Sequence, residues 1–153
     1  MKFRVLLFLV VFVGLAACAN PAQQARAKAI DQATTGARNT AAKVQDYLKA
    51  QLRPQTFADT LKSLSDNYQS GEVTVHDSAQ DPAGAFSALV VILGGGEAGG
   101  GGFYEQVDVR LCVKYSGSVG DNGHVDMADT PCPDGLPTQD RGVQIVQNVT
   151  LGK

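Results

Sequence analysis

The chain has 153 residues, of which 44% are hydrophobic and 18% charged, and its formal net charge is −2. This length suits one domain with a single core and leaves no room for two independent cores. The basic residues form no cluster. Because binding to a phosphate backbone requires a concentrated basic surface, the composition argues against a nucleic-acid partner.

The first 17 residues have the layout of an export signal. Lys2 and Arg4 form a short positive region, and residues 5–13 are an unbroken apolar run. The apolar segment that ends at Ala17 is 13 residues long, well short of the roughly 20 that a membrane-spanning helix needs. We expect residues 1–17 to be removed as a signal peptide, which leaves 11 basic and 15 acidic residues and a net charge of −4.

The export segment ends in Leu15-Ala16-Ala17-Cys18. This resembles the lipobox of bacterial lipoproteins, which consists of a Leu, two small residues and a Cys. The resemblance covers only the first 18 residues and implies a diacylglycerol thioether on Cys18, cleavage before it, and acylation of the new amino terminus, as by palmitate. Ordinary secretion is the alternative, because cleavage after Ala19 also satisfies the small-x-small rule.

An acylated Cys18 would anchor the protein in a bacterial cell membrane, facing the periplasm or the cell surface. Two or three acyl chains bind a bilayer almost permanently, since each buried methylene contributes about 0.8 kcal/mol. In two-membrane cells, the sorting rule of this family retains a lipoprotein at the inner membrane when Asp follows the lipidated Cys. Ala19 occupies that position here, so the rule implies no retention there. We divide the mature chain into a lipidated tether, residues 18–29, and a single domain, residues 30–153.

A narrow apolar stripe predicts a helix over residues 20–53, with spacings of three, four or seven. β-Branched residues and a glycine at 34–36 leave open a break or bend there. A coiled-coil surface for a partner is an alternative use of the stripe. Its members are Ile30, Ala33, Ala37, Val44, Tyr47 or Leu48, and Leu52.

A second helix is predicted after Pro54, which ends the first one. Thr56 and Asp59 form a T-x-x-D start, and Gly71 supplies the stop. Its apolar stripe is stronger and is expected to enter the core. The stripe consists of Phe57, Leu61, Leu64 and Tyr68.

The second half of the chain alternates between apolar and polar residues, as half-buried strands do. In residues 103–115 the odd positions are apolar except Glu105, and the even positions form a wet face that carries Cys112. Residues 72–77, 85–93 and 143–151 predict three more strands. The last is expected to turn Val143, Ile145, Val149 and Leu151 inward. The prediction is an α+β fold, with two helices on one face of a roughly four-stranded antiparallel sheet.

Between the second and third predicted strands lies a glycine-rich segment, residues 94–102. We interpret it as a flexible hairpin connection. Phosphate binding is disfavoured, because a strand follows rather than a helix and the Walker lysine is missing. Since loops often carry function, the tip is a candidate partner-binding loop. The residues concerned are Gly95, Gly96, Glu97, Gly99 and Gly100.

Residues 116–141 are predicted to form one long loop. In an exported protein with two cysteines left after lipidation, Cys112 and Cys132 are expected to form a disulfide that fastens this loop to the outer side of the sheet. A metal-binding or catalytic cysteine is disfavoured, because the chain has no C-x-x-C pair.

Acidic residues in this loop are weak candidates for a calcium site, since oxygen ligands from a flexible loop suit that ion. The spacing is not that of an EF-hand, so a solvated acidic loop is favoured. The candidates are Asp121, Asn122, Asp126 and Asp129.

No motif selects an enzyme. The chain contains no G-x-S-x-G, H-E-x-x-H or Cys/His arrangement, and His76 and His124 fit ordinary surface positions. We therefore expect no catalytic residue and no cofactor. The leading hypothesis is a non-enzymatic envelope lipoprotein that binds another envelope protein or surface component. A carrier of a small apolar or lipid ligand between helices and sheet is the alternative, and a hydrolase of unknown type comes third.

The lipid anchor can be tested by the mass of the mature protein purified from cell membranes. We expect a chain that begins at Cys18 and carries the mass of a diacylglycerol, and we expect Cys18→Ser to abolish both the modification and the membrane association. An unmodified chain that begins at Asn20 would instead identify ordinary secretion.

Overall fold

A computed structural model of the protein describes residues 20–53, 56–68, 71–100, 102–119 and 124–152. These residues form two helices and six strands. In chain order the elements are α1 (Pro21–Gln51), α2 (Phe57–Asn67), β1 (Val73–Gln80), β2 (Ala85–Gly100), β3 (Phe103–Ser118), β4 (His124–Asp129), β5 (Gln139–Asp140) and β6 (Val143–Val149). Both helices pack on one face of the sheet, which confirms the α+β class.

The sheet is mixed and larger than the four-stranded antiparallel sheet that the sequence predicts. Its strand order is β1-β2-β3-β6-β5, and β4 also pairs with β3. The chain reverses between β5 and β6 at Arg141-Gly142, where both residues have positive φ, as a tight hairpin turn requires. After this reversal β6 runs antiparallel to β5 and parallel to β3.

The inward row expected for β6 is confirmed at Val149 and Leu151, which pack against the core, and is wrong at Ile145. The register with β3 shifts between Ile145 and Gln147, so Val146 is an extra residue and the alternation changes sides there. Ile145 therefore faces away from the helices, whereas Val149 packs against the core with Val146.

Helix α1 begins within the segment that we expected to be a tether. The side chain of Asn20 caps it by accepting a hydrogen bond from the backbone N–H of Ala22, and Pro21 occupies its first position. Ala25 and Ala29 are already buried. The helix also runs unbroken through residues 34–36, where the Thr34 hydroxyl donates to the Ile30 carbonyl at 2.8 Å.

The buried stripe of α1 lies on the glycines of β2. Alanine recurs at every fourth position, and this row faces Gly94 and Gly96. A β-carbon on either glycine would lie less than 3.0 Å from the helix backbone. The glycine-rich segment is thus a strand rather than a flexible connection, and its missing side chains let helix and sheet meet at backbone distance. The alanines are Ala25, Ala29, Ala33, Ala37 and Ala41.

Beyond the glycines the core contains larger side chains. The inner face of the sheet is the face covered by the helices, and the predicted odd-numbered row of β3 lies on it from Val107 to Tyr115. The Tyr115 hydroxyl donates to the Ala41 carbonyl at 2.8 Å. Phe57 of α2 packs on Phe86 with ring centroids 5.8 Å apart, as the stripe of that helix predicts.

The glycine contact predicts that Gly96→Ala destabilises the protein by about 2–3 kcal/mol, because overpacking must push helix and sheet apart. Gly95→Ala is the matched control: its β-carbon would lie on the other face, 3.4 Å from the nearest atom, the Oδ1 of Asp108. Urea unfolding with the disulfide intact measures both. Equal stability of the two variants would contradict the contact between helix and strand.

Candidate functional site

The outer face of the sheet, opposite the helices, is covered where the sequence predicts a wet surface. Cys112 is 2% exposed, and its disulfide to Cys132 joins α-carbons 5.3 Å apart. The Thr130 N–H donates to the Cys112 carbonyl. The expected disulfide is confirmed, and it holds the chain after β4 against the outer face.

A groove of about 320 Å³ lies on the outer face, between the first two strands and the segment fastened by the disulfide. We call it the outer groove. Its walls combine aliphatic side chains with a few polar ones, as binding sites for apolar groups do. The lining residues are Gly71, Thr74, His76, Val91, Leu93, Arg110, Leu136, Pro137, Gln139, Asp140 and Ile145.

Arg110 is the buried charge of this groove. It is 9% exposed, and its guanidinium donates to the carbonyl of Pro137. None of the three ion pairs in the described part of the chain involves Arg110. A buried cation is costly unless partners compensate it, and the Pro137 carbonyl accepts from one of the five N–H donors of this guanidinium.

Two carboxyl groups, Asp108 and Asp140, influence each other electrostatically, although no sequence motif pairs them. Asp108 is 6% exposed, and its pKa is raised by burial first and by the charge of Asp140 second, while Arg141 opposes the rise. Asp140 pairs with Arg141 at 2.9 Å. Asp140 lines the groove, whereas Asp108 does not and instead pairs in register with Ile145. The carboxyl group with the raised pKa is therefore not part of the groove lining.

The candidate partner loop does not exist as a loop. Gly95, Gly96 and Glu97 pair with β3 inside the sheet, and Gly96 is buried under α1. Gly99 and Gly100 are exposed at the end of β2. Together with the first turns of α1, these last two line a small hollow of about 240 Å³.

The described calcium candidates do not converge. Asp126 and Asp129 lie on β4 and pair with Ser116 and Val113 respectively, which places them on opposite faces of the strand. Asp129 accepts a hydrogen bond from the Leu151 N–H at 2.7 Å. Asp121 and Asn122 lie outside the described residues.

One polar cluster joins the ends of β3 and β4. The Ser118 hydroxyl lies 3.2 Å from His124 Nδ1, and His124 Nε2 lies 3.4 Å from Asp126. Hydrolases use these residue types, but an activated nucleophile needs a base oriented in a site that excludes water. The side chains of His124 and Asp126 are 64% and 76% exposed. The cluster is therefore a surface network, and the sequence prediction missed it because this hairpin was assigned to a loop.

The predicted lipid attachment site, Cys18, lies outside the described residues. Within residues 20–53, 56–68, 71–100, 102–119 and 124–152, no helix has the length and apolarity needed to cross a membrane. Comparison of the chain with models of protein families, with curated proteins and with solved structures found no match in any of the three.

The raised pKa of Asp108 predicts that Asp108→Asn stabilises the protein at pH 7. The folded state holds the proton of Asp108 more tightly than the unfolded state, whose ordinary pKa is 3.8, so ionisation disfavours folding as the pH rises. The gain should fade below pH 3.8, where both states are protonated. Urea midpoints across this range measure it, with Asp66→Asn on the exposed surface of α2 as control. A loss of stability at pH 7 would contradict this account of Asp108.

Proposed function

We propose that the chain is a non-enzymatic lipoprotein of the bacterial cell envelope, anchored at Cys18, that binds another envelope component in the outer groove. The observation that carries the proposal is the buried Arg110 among aliphatic walls. The partner is accordingly a group that presents an apolar surface next to a carboxylate or another anion.

The chemistry of the groove supports this kind of partner. Val91, Leu93 and Ile145 supply apolar contact from three positions on the sheet, and burial of such surface contributes about 25 cal/mol per Å². Arg110 adds direction, because a guanidinium forms two parallel hydrogen bonds with a carboxylate. An apolar ligand without an anionic group leaves the charge of Arg110 unpaired. The groove therefore favours apolar ligands that carry an anion over those that lack one.

Binding fits the outer groove better than catalysis does. General acid catalysis requires a carboxyl group within hydrogen-bond reach of the substrate. Asp108 has the raised pKa but does not line the groove, and Asp140, which does, is paired with Arg141. The exposed cluster at Ser118 has no enclosing walls among its described neighbours. A hydrolase remains the third hypothesis.

A carrier of a small amphipathic anion is the second candidate, and the apolar lining of the groove favours it. The site we expected for such a ligand, between helices and sheet, is filled by the backbone contact of α1 with Gly94 and Gly96. The outer groove has about 320 Å³, at the small end of ligand sites. A stoichiometric small molecule in native mass spectra of the purified protein would support the carrier, and its absence would favour a macromolecular partner.

Two related dyes test the recognition of an anion. Anilinonaphthalene sulfonate and phenylnaphthylamine share an apolar body, but only the first carries a sulfonate. We expect Arg110→Gln to weaken binding of the sulfonate dye by about tenfold or more, because a hydrogen bond to a charged group is lost. Binding of the uncharged dye should stay within about twofold. Fluorescence titration measures both affinities.

Two further variants complete the test. Arg110→Lys keeps the charge and should retain part of the preference for the sulfonate dye, whereas Ile145→Ala should weaken both dyes. Urea midpoints check that each variant is folded. If Arg110→Gln weakens the binding of both dyes equally, the groove has collapsed. If it weakens the binding of neither dye, Arg110 is not part of the binding site.

A further inference from the structure

Two aromatic side chains at one end of the sheet have no place in the core. Phe103 and Tyr104 are 47% and 65% exposed and are the exposed large apolar residues of the described chain. Both belong to the start of β3, where it pairs with Gly99 and Gly100 of β2. We call these four residues the hairpin end. As consecutive residues of a strand, Phe103 and Tyr104 project to opposite faces of the sheet, so a surface that meets this end of the sheet contacts both.

The hairpin end lies beside the start of α1. Gly99 and Gly100 line the same hollow as Pro21, Gln24 and Lys28. The aromatic residues and the amino-terminal end of the helix are therefore at the same end of the molecule.

The chain upstream of α1 leads directly to the proposed anchor. Cys18 precedes the cap residue Asn20 by two residues, which span at most about 7 Å when extended. Acyl chains on Cys18 would therefore bring this end of the domain to the headgroups of the bilayer.

We propose that the hairpin end is a membrane-contacting surface, on which Phe103 and Tyr104 enter the headgroup region of the phospholipid bilayer. Aromatic rings are favoured there, since one part of the ring is apolar and its edge or hydroxyl stays hydrated. Lys28, beside the same hollow, suits the lipid phosphates. The inference rests on the anchor of the proposed function. It adds an orientation, in which β3 runs away from the membrane surface. Leu93 in the outer groove is seven residues from Gly100 and would lie about 23 Å above that surface.

The absence of tryptophan from the chain makes a site-specific test possible. Phe103→Trp and Tyr104→Trp each introduce a single indole at the hairpin end. His124→Trp introduces one on β4 opposite Ser118, at the other end of β3 and up to about 50 Å away along the strand. The acylated protein is purified from membranes, its mass is measured, and it is reconstituted into vesicles of phosphatidylethanolamine and phosphatidylglycerol. Brominated phospholipid serves as the quencher within the bilayer.

We expect the indoles at 103 and 104 to emit at shorter wavelength in vesicles and to be quenched by brominated lipid, and the indole at 124 to do neither. Full exposure of the first two to water in vesicles, with Cys18 shown to be acylated, would overturn the membrane contact alone. If the two indoles are exposed in pure vesicles but protected in native membranes, a protein covers the hairpin end, and this too would overturn the membrane contact. An unmodified Cys18 with no vesicle binding would overturn both the anchor and this inference.

Discussion

The architecture depends on the backbone contact between the alanine row of α1 and Gly94 and Gly96 of β2. An ordinary helix and sheet are separated by two layers of side chains, and this pair has almost none at the contact. The long helix can therefore lie directly on β2 at Gly94 and Gly96. The larger residues of the two helices, from Val44 to Leu64, pack into the core toward the other end of α1.

This contact closes the inner face at Gly94 and Gly96. The outer groove lies on the opposite face, and the chain after β3 shapes it. The Cys112–Cys132 disulfide holds the segment after β4 in place, and the tight turn at Arg141-Gly142 returns β6 beside β3. Arg110 is thereby covered and linked to the Pro137 carbonyl, although it belongs to a face that alternation alone marks as wet.

The spacing of apolar residues within a single helix or strand predicted the elements whose burial follows that spacing. The strong stripe of Phe57, Leu61 and Leu64, the odd row of β3 and the disulfide all agree with the structure. The glycine strand was missed because glycine has low strand propensity and only its contact with a helix 60 residues earlier explains it. The outer groove was missed for a similar reason, since the parallel return of β6 and the burial of Arg110 are long-range features that no spacing encodes.

The proposed function requires that ligands bind the outer face and do not enter between α1 and the glycines of β2. The backbone amide shifts that phenylnaphthylamine causes in a two-dimensional NMR spectrum of the protein reveal where it binds. We expect the shifts to cluster at Val91, Arg110 and Ile145 and to leave Ala29, Ala33 and Gly96 unchanged. Shifts concentrated at those last three residues would place the ligand between helix and sheet and contradict the proposed function.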